Sequence, residues 1–582
     1  MKHRFKVWAP LPKKVELQVK SAIYSMTKEA GDWWGAEVSS VKFGDDYGYL
    51  LDGEGPFPDP RSFAQPNGIH GLSRIVDPSA FQWTDKRFKA APLSQAFIYE
   101  LHVGTFTREG TFRSTLEKLE HLVSLGVTHV ELMPIVEFGG NHGWGYDGVD
   151  LYAPHHVYGA ADDLKHLVNS CHSRGLAVIL DVVYNHLGPS GNYLGKFGPY
   201  FTKKFATFWG EGINFDGPES GEVRRYFCDN ALMWLRDFHF DGLRLDAVHG
   251  ILDTSATHVL EQLKFEAEHL SGQTGRPLIL IPESDLNDPR LLRPRTQGGF
   301  QLDAQWSDDF HHALHTVLTG EKTGYYSDYG KITDLAKALR HAFVYDGVYS
   351  PYRRRIHGRS AEFLSGHQFL GYLQNHDQIG NRAQGDRISQ LVGLGKQKIG
   401  AALVMCSPFV PMLFQGEEWG ASTPFLFFTD HQEPELAKAV REGRCREFAA
   451  FGWKPEDVAD PQAIESFKRS QLNWSESATV SHAEILQWNK QLIQLRRREP
   501  DLADGRREHV HVEFSEEDQW LLMKRGKITV ACNFGSRPQN LPSRPEQFDL
   551  LLASEKKVGL DKRIHLPPES VAILKSAGGT GL

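Results

Sequence analysis

Leu176-Ala-Val-Ile-Leu-Asp-Val-Val183 holds a single charge, Asp181, in an otherwise apolar run. A strand with one face in water alternates, whereas a strand covered on both faces, as in a parallel sheet, is apolar nearly throughout. Upstream, residues 161–174 carry a helical period. Before them come two more buried-strand runs, Thr128-His-Val-Glu-Leu-Met-Pro134 and Phe97-Ile-Tyr-Glu-Leu-His-Val103, with a helical stretch at 115–125 between them. Downstream, strand candidates fall at 242–246, 278–283, 303–306, 369–377 and 410–415. Eight strand and helix units between residues 93 and 500 predict an α/β fold, a (β/α)8 TIM barrel with insertions. On periodicity alone a doubly wound sheet fits as well.

The flanks differ. Short strands are predicted at 4–8, 14–20, 33–38 and 47–51, with no useful helical period before residue 90, so residues 1–92 are expected to form a β-sandwich. A Gly-, Pro- and Asp-rich stretch at 53–71 leads out of it. Residues 181–226 show no clear helix, and a long loop is expected at 187–226. An amphipathic helix at 483–498 ends at Glu499-Pro500. Strands at 519–524, 528–534 and 570–574 then predict a C-terminal all-β domain over 501–582, with a frayed end, Ser-Ala-Gly-Gly-Thr-Gly-Leu.

A chain of 582 residues is too long for one core. Net charge −8 disfavours nucleic acid and anionic membrane as partners, and no apolar run approaches the length of a membrane helix. The start, Met-Lys-His-Arg-Phe-Lys, has no apolar run behind it and is not a signal peptide. The five cysteines are scattered without metal spacing, which predicts reduced thiols in a cytoplasmic protein.

Function in such a barrel sits where strands end. The third candidate strand ends at Asp181-Val-Val-Tyr-Asn185-His186 and the fourth at Arg244-Leu-Asp246, with His249 soon after. The fifth ends at Pro282-Glu283-Ser-Asp285 and the seventh at Gln374-Asn-His376-Asp377. Charged groups at the ends of apolar strands are costly unless paired, so four such ends on one rim converge on one pocket. Singly, each has a plainer reading: Asp246 as ion-pair partner of Arg244, Glu283 as a helix-start acid, His186 and His376 as satisfied polar groups, Asp181 as structural. Cleaving a glycosidic bond requires one protonated and one ionised carboxyl. Arg244 shares a strand face with Asp246 and should keep it ionised, while Glu283 follows Ile279-Leu-Ile-Pro and should be desolvated.

At these residues the chain resembles the α-amylase family. Asp181-Val-Val-Tyr-Asn-His186, Asp241-Gly-Leu-Arg-Leu-Asp246, Pro282-Glu-Ser284 and Asn375-His-Asp377 are similar to its four signature regions in order and spacing. The likeness runs from about residue 95 to the end, and the first ninety residues resemble the sandwich preceding the barrel in glycogen branching and debranching enzymes. It implies retention, with Asp246 as nucleophile, Glu283 as acid/base and Asp377 as transition-state stabiliser. Arg244, His186 and His376 match its sugar contacts and Tyr146 its aromatic platform. Within the family, Glu283-Ser-Asp-Leu-Asn-Asp-Pro-Arg290, residues 303–312, Gly416-Glu-Glu-Trp419 and Phe427-Phe-Thr-Asp-His431 resemble enzymes that release trehalose from maltooligosyltrehalose. One departure is Pro282, where a small residue is expected. The likeness implies maltooligosyltrehalose or a related α-glucan as substrate. Residues 306–312 and 425–431, with His249, Asp309 and His431, are the expected substrate contacts. A glycogen branching enzyme and a non-catalytic carbohydrate-binding barrel are the alternatives; the latter usually lack one of the carboxylates, and all three are present. Asn185 matches a position that ligates calcium in many amylases, but no cage is evident near it, so no cofactor or metal is expected.

Overall fold

The buried runs pair as eight parallel strands: β1 Ile98–Leu101, β2 His129–Leu132, β3 Ala177–Val182, β4 Gly242–Leu245, β5 Ile279–Pro282, β6 Gln305–Trp306, β7 Phe369–Gly371 and β8 Val410–Phe414. The structure is a computed structural model and describes residues 2–207, 210–449, 451–542 and 548–577. The last five residues of the expected frayed end lie outside that range. Hydrogen-bonded neighbours run β5-β4-β3-β2-β1-β8-β7-β6, which is chain order around a ring. The doubly wound alternative is thereby excluded. The ring closes between β5 and β6 through Asp303: its amide donates to the Leu280 carbonyl at 3.0 Å. Its carboxylate accepts from the Leu280 amide at 2.7 Å.

Side chains alternate along a strand, and this period makes the rim. Ile98, Ile179, Ile281, Trp306, Tyr372 and Met412 fill the barrel together. Two residues beyond the first four of these come Glu100, Asp181, Glu283 and Asp308, directed to the same interior nearer the strand ends. The pocket is therefore a consequence of strand register. Gly242 lets β4 approach β5, since a Cβ there would meet the Ile279 carbonyl oxygen at 2.7 Å.

Helices cover the ring, among them α1 Ala161–Ser173, α2 Ser220–Asp237, α3 Val259–Thr274, α4 Asp308–Thr319, α5 Leu394–Cys406, α6 Pro434–Ala449 and α7 Val480–Arg498. The expected loop at 187–226 is more ordered than the sequence suggests. It holds a helical turn, Leu194–Phe197, and an antiparallel hairpin of Phe201–Thr207 with Gly210–Ile213, and α2 begins inside it. The start of α2 is masked in sequence by Glu222, Arg224 and Arg225. Its buried residues Val223, Tyr226, Phe227, Asn230 and Ala231 nevertheless follow helical spacing.

Before the barrel, strands including His3–Trp8, Val15–Val19, Trp33–Val38 and Asp46–Leu51 form a three-stranded and a five-stranded antiparallel sheet. After it, a five-stranded sheet built on Trp520–Arg525, Ile528–Asn533 and Ser570–Ser576 packs on the barrel. Buried Arg525 fastens this sheet by donating to the carbonyls of Cys406, Ser407 and Leu502, and buried Arg496 fastens α7 to the barrel through those of Met405, Ser407 and Phe409. Among the described residues no helix is long and apolar enough to cross a membrane.

Candidate active site

Arg244 is the hub. Its guanidinium is fully buried and lies 4.4 Å above the Trp306 ring. Its Nη1 donates to both Asp181 oxygens at 3.0 Å and to Asp246 Oδ1 at 2.6 Å, and Nη2 lies 3.5 Å from Glu283 Oε2. One cation thus touches the ends of β3, β4 and β5.

The two carboxyls on it differ in environment. Burial pushes Asp246 up, but Arg244, His186 and the Asn185 amide overcome this and leave it below its ordinary value. Asn185 Nδ2 donates to Asp246 Oδ2 at 2.8 Å and to its carbonyl at 2.7 Å. Burial pushes Glu283 well above the carboxylate range; Arg244 opposes, while Asp246, Asp308 and Asp377 add to the rise. Glu283 Oε2 accepts from the Ala247 amide at 2.7 Å, which leaves Oε1 to carry the proton. Ala247 makes this contact from a left-handed backbone, φ 37°, a strained conformation at the bend after Asp246. Pro282 stays in register opposite Leu245, so the unexpected proline does not displace Glu283.

Asp377 follows Asn375, whose side chain caps the short helix His376–Gly380 by accepting from the Asp377 amide at 2.9 Å. Its carboxylate is 45% exposed, against 12% for Asp246 and 13% for Glu283. His376 is buried, with Nδ1 2.5 Å from Glu100 Oε1 and Nε2 2.8 Å from the Tyr146 hydroxyl. Burial lowers this imidazole, yet Glu100 and Asp377 outweigh it and raise it to about 9. Tyr146 stacks on His376 at 5.2 Å and donates to Asp181 Oδ2 at 2.6 Å. His186 meets the Asn185 amide oxygen through Nδ1 and the Tyr146 carbonyl through Nε2 at 3.0 Å. His249 lies in the turn Val248–Gly250 after Asp246, and His431 has Nε2 3.7 Å from Asp147, next to Tyr146.

Asp309, expected among the substrate contacts, sits in a buried hydrogen-bonded cluster. Its carboxylate is buried and accepts from Tyr329 Oη on Oδ1 and from the Val344 and Tyr345 amides and Asn287 Nδ2 on Oδ2, so both oxygens are engaged by protein groups. α4 turns its neighbour Asp308 to the cleft instead. Asp308 accepts from the Tyr372 hydroxyl at 2.5 Å, and burial lifts it to about 7. The other expected contacts at 306–312 and 425–431 thin out likewise, because Trp306, His311, Phe425 and Phe428 are core residues. Asp308, Tyr372 and Glu100 were missed in the sequence. The signal for Glu100 was a charge within an apolar run, two residues after an inward isoleucine.

Asn185 spends its side chain on Asp246 and His186, and is not presented as a cation ligand. Glu137, His155 and His156 form the one group of metal-ligand type among the described residues. Glu137 is already occupied there by the His156 ring, 2.7 Å from Oε1, and by the His156 amide, 2.8 Å from Oε2.

Residues 60–209 match the alpha amylase catalytic domain, and residues 505–573 a domain of unknown function, DUF3459. The malto-oligosyltrehalose trehalohydrolase of Mycobacterium tuberculosis is 48% identical over 98% of this chain and 99% of its own. That of Arthrobacter ramosus is 48% identical over 99% and 100%. The chain belongs to the malto-oligosyltrehalose trehalohydrolases, within the alpha-amylase family. A Salmonella typhimurium crystal structure named as an alpha amylase is 39% identical to this trehalohydrolase-family chain, with a TM-score of 0.90 over 99% of it and 98% of that chain.

Proposed function

We propose that the protein is a retaining glycoside hydrolase that cleaves the α-1,4 bond next to the terminal trehalose of maltooligosyltrehalose, releasing trehalose and a maltooligosaccharide. The observation that carries this is the near-full-length likeness to relatives of that name. The divided electrostatics of Asp246 and Glu283 support the chemistry.

In this reading Asp246, ionised between Arg244 and Asn185, attacks the anomeric carbon. Glu283, protonated on Oε1, gives its proton to the departing glycosidic oxygen. A covalent glycosyl–Asp246 intermediate forms, and Glu283, now ionised, takes a proton from water, which displaces Asp246 with net retention. Retention requires the two carboxyls to stand about 5–5.5 Å apart, and both lie against one guanidinium. Asp377 stabilises the charge that develops on the ring. Tyr146, His186, His249, His376 and His431 surround the sugar on this reading.

The proposal assigns three units, residues 1–92, 93–500 and 501–582, the last supported by the separate match at 505–573. It places the enzyme in the cytoplasm, on the support of five free cysteines.

The test is incubation with maltooligosyltrehalose and, separately, with maltoheptaose. Free trehalose from the first, with much slower cleavage of the second, is the expected result. New α-1,6 branches would instead mean a branching enzyme, and equal rates on both substrates would remove the trehalose assignment.

A further inference from the structure

We propose that Glu100, at the start of a hydrogen-bonded relay through the barrel, is a positioning residue for the nucleophile. The inference rests on the reading of Asp246 as nucleophile and concerns a residue four links behind it.

The relay runs in one direction. Glu100 Oε1 receives His376 Nδ1–H at 2.5 Å, and Glu100 Oε2 the His376 amide at 3.2 Å. His376 Nε2–H points to the Tyr146 oxygen at 2.8 Å. The Tyr146 hydroxyl donates to Asp181 Oδ2 at 2.6 Å. Asp181 holds Arg244 Nη1 with both oxygens at 3.0 Å, and Nη1 holds Asp246 at 2.6 Å. Glu100, Asp181 and Arg244 are buried. In such a low-dielectric interior each bond strengthens and orients the next.

The proton count decides what Glu100 does. Tyr146 has one hydrogen, and Asp181 takes it. Tyr146 then needs a donor, and that donor is His376 Nε2–H. Glu100 requires His376 Nδ1–H as well. Both ring nitrogens must carry hydrogen, so the relay is complete only with His376 as imidazolium. The groups facing His376 are Glu100 on β1, His102 just after it, Glu131 on β2, Tyr146 after β2, Asp181 on β3, Arg244 on β4 and Asp377 beside it. Burial pushes the Glu131 carboxyl well above the ordinary carboxylate range and Arg244 repels a second cation, so Glu100, which accepts from the His376 ring and amide, is the carboxylate in direct hydrogen-bond contact with the ring. Without it His376 loses one hydrogen, Tyr146 turns, and Asp181 no longer fixes the guanidinium under Asp246.

Glu100→Gln keeps the size and removes the charge. Ring nitrogen NMR of histidine, with the His376 signals identified by their absence in His376→Gln, should show His376 doubly protonated at pH 8 in the wild type and neutral in Glu100→Gln. This readout needs no substrate, so it stands apart from the proposed activity. In turnover, kcat should fall about 10- to 100-fold, the range lost when the hydrogen-bond partner that orients a site histidine is removed, with KM little changed. Glu100→Asp should recover part of the loss. The double variant Glu100→Gln/His376→Gln should be no slower than His376→Gln, because Glu100 acts through that ring. A neutral wild-type His376 at pH 8, or fully additive losses in the double variant, overturns the proposal. Should Glu100→Gln fail to fold, the wild-type NMR measurement still decides.

Discussion

Arg244→Lys isolates what the hub contributes. Lysine keeps one positive charge but replaces a planar fork by a single compact head and cannot lie flat over Trp306. In the wild type one guanidinium serves Asp181, Asp246 and Glu283 together. An ammonium reaching Asp181 leaves Asp246 with Asn185 and His186 only, in a site whose burial already pushes it up. A hydrogen bond to a charged group contributes about 1.5–3 kcal/mol. One pKa unit is about 1.4 kcal/mol, so Asp246 should rise by about one to two units. The nucleophile must be ionised, so the acid limb of kcat/KM moves up by that amount. Glu283 loses the pull that opposed its rise, so the limb it sets on the alkaline side moves up as well. The expected signature is therefore a bell displaced as a whole to higher pH. Below the new acid limb the rate is about 10- to 100-fold lower, and the deficit shrinks as pH rises. The assay is trehalose release measured from pH 5 to 9, with thermal unfolding run alongside. A uniform loss of rate with both limbs in place would show that Arg244 contributes shape alone, and the electrostatic reasoning would fail.

Three further outcomes are expected. Asp309→Ala should leave the preference for trehalose-capped chains unchanged and destabilise the fold by about 3 kcal/mol, as buried donors lose their acceptor; denaturant unfolding and a two-substrate comparison measure both. Gly380→Ala should lower kcat and cost about 1–3 kcal/mol of stability by overpacking, because the new methyl would lie 2.0 Å from the buried Trp144 ring, three residues after Asp377; normal kinetics would show that the ring yields. Chelator treatment should leave activity intact, since Asn185 is bound to protein groups; recovery on calcium addition after a chelator-induced loss would contradict this.

The barrel was legible because burial on both faces leaves continuous apolar runs, and all eight strands fall within the runs from Phe97 to Gln415. The rim was legible for the same reason: charges such as Asp181 and Glu283 stand out at the ends of such runs. The direction of α4 was not. Asp308 and Asp309 are adjacent acids before one helical pattern, and which of them faces the cleft depends on Tyr329, Val344 and Tyr345, twenty to thirty-six residues away. The start of α2 was hidden by charges that pair outward, as Arg225 does with Asp229 and Glu266. Residues 425–431 are expected among the substrate contacts, yet Phe425 and Phe428 pack in the core, because aromatic composition does not separate a cleft wall from the core beneath it.

The junction between β5 and β6 has a bearing on motion. Elsewhere around the ring, neighbouring strands share backbone ladders. Here the bond between the Asp303 amide and the Leu280 carbonyl is joined by a side chain, the Asp303 carboxylate, which Lys264 holds at 2.7 and 2.8 Å. A ring fastened in this way has a preferred place to part. Local opening should start there, with faster hydrogen exchange at the Leu280 and Asp303 amides than at the ladders of β2 and β3. Glu283 stands at the end of one lip and Asp308 beyond the other. Mild heating would then misalign the proton donor while most of the molecule is still intact, and catalytic power would fade at temperatures where spectroscopy still registers a native fold.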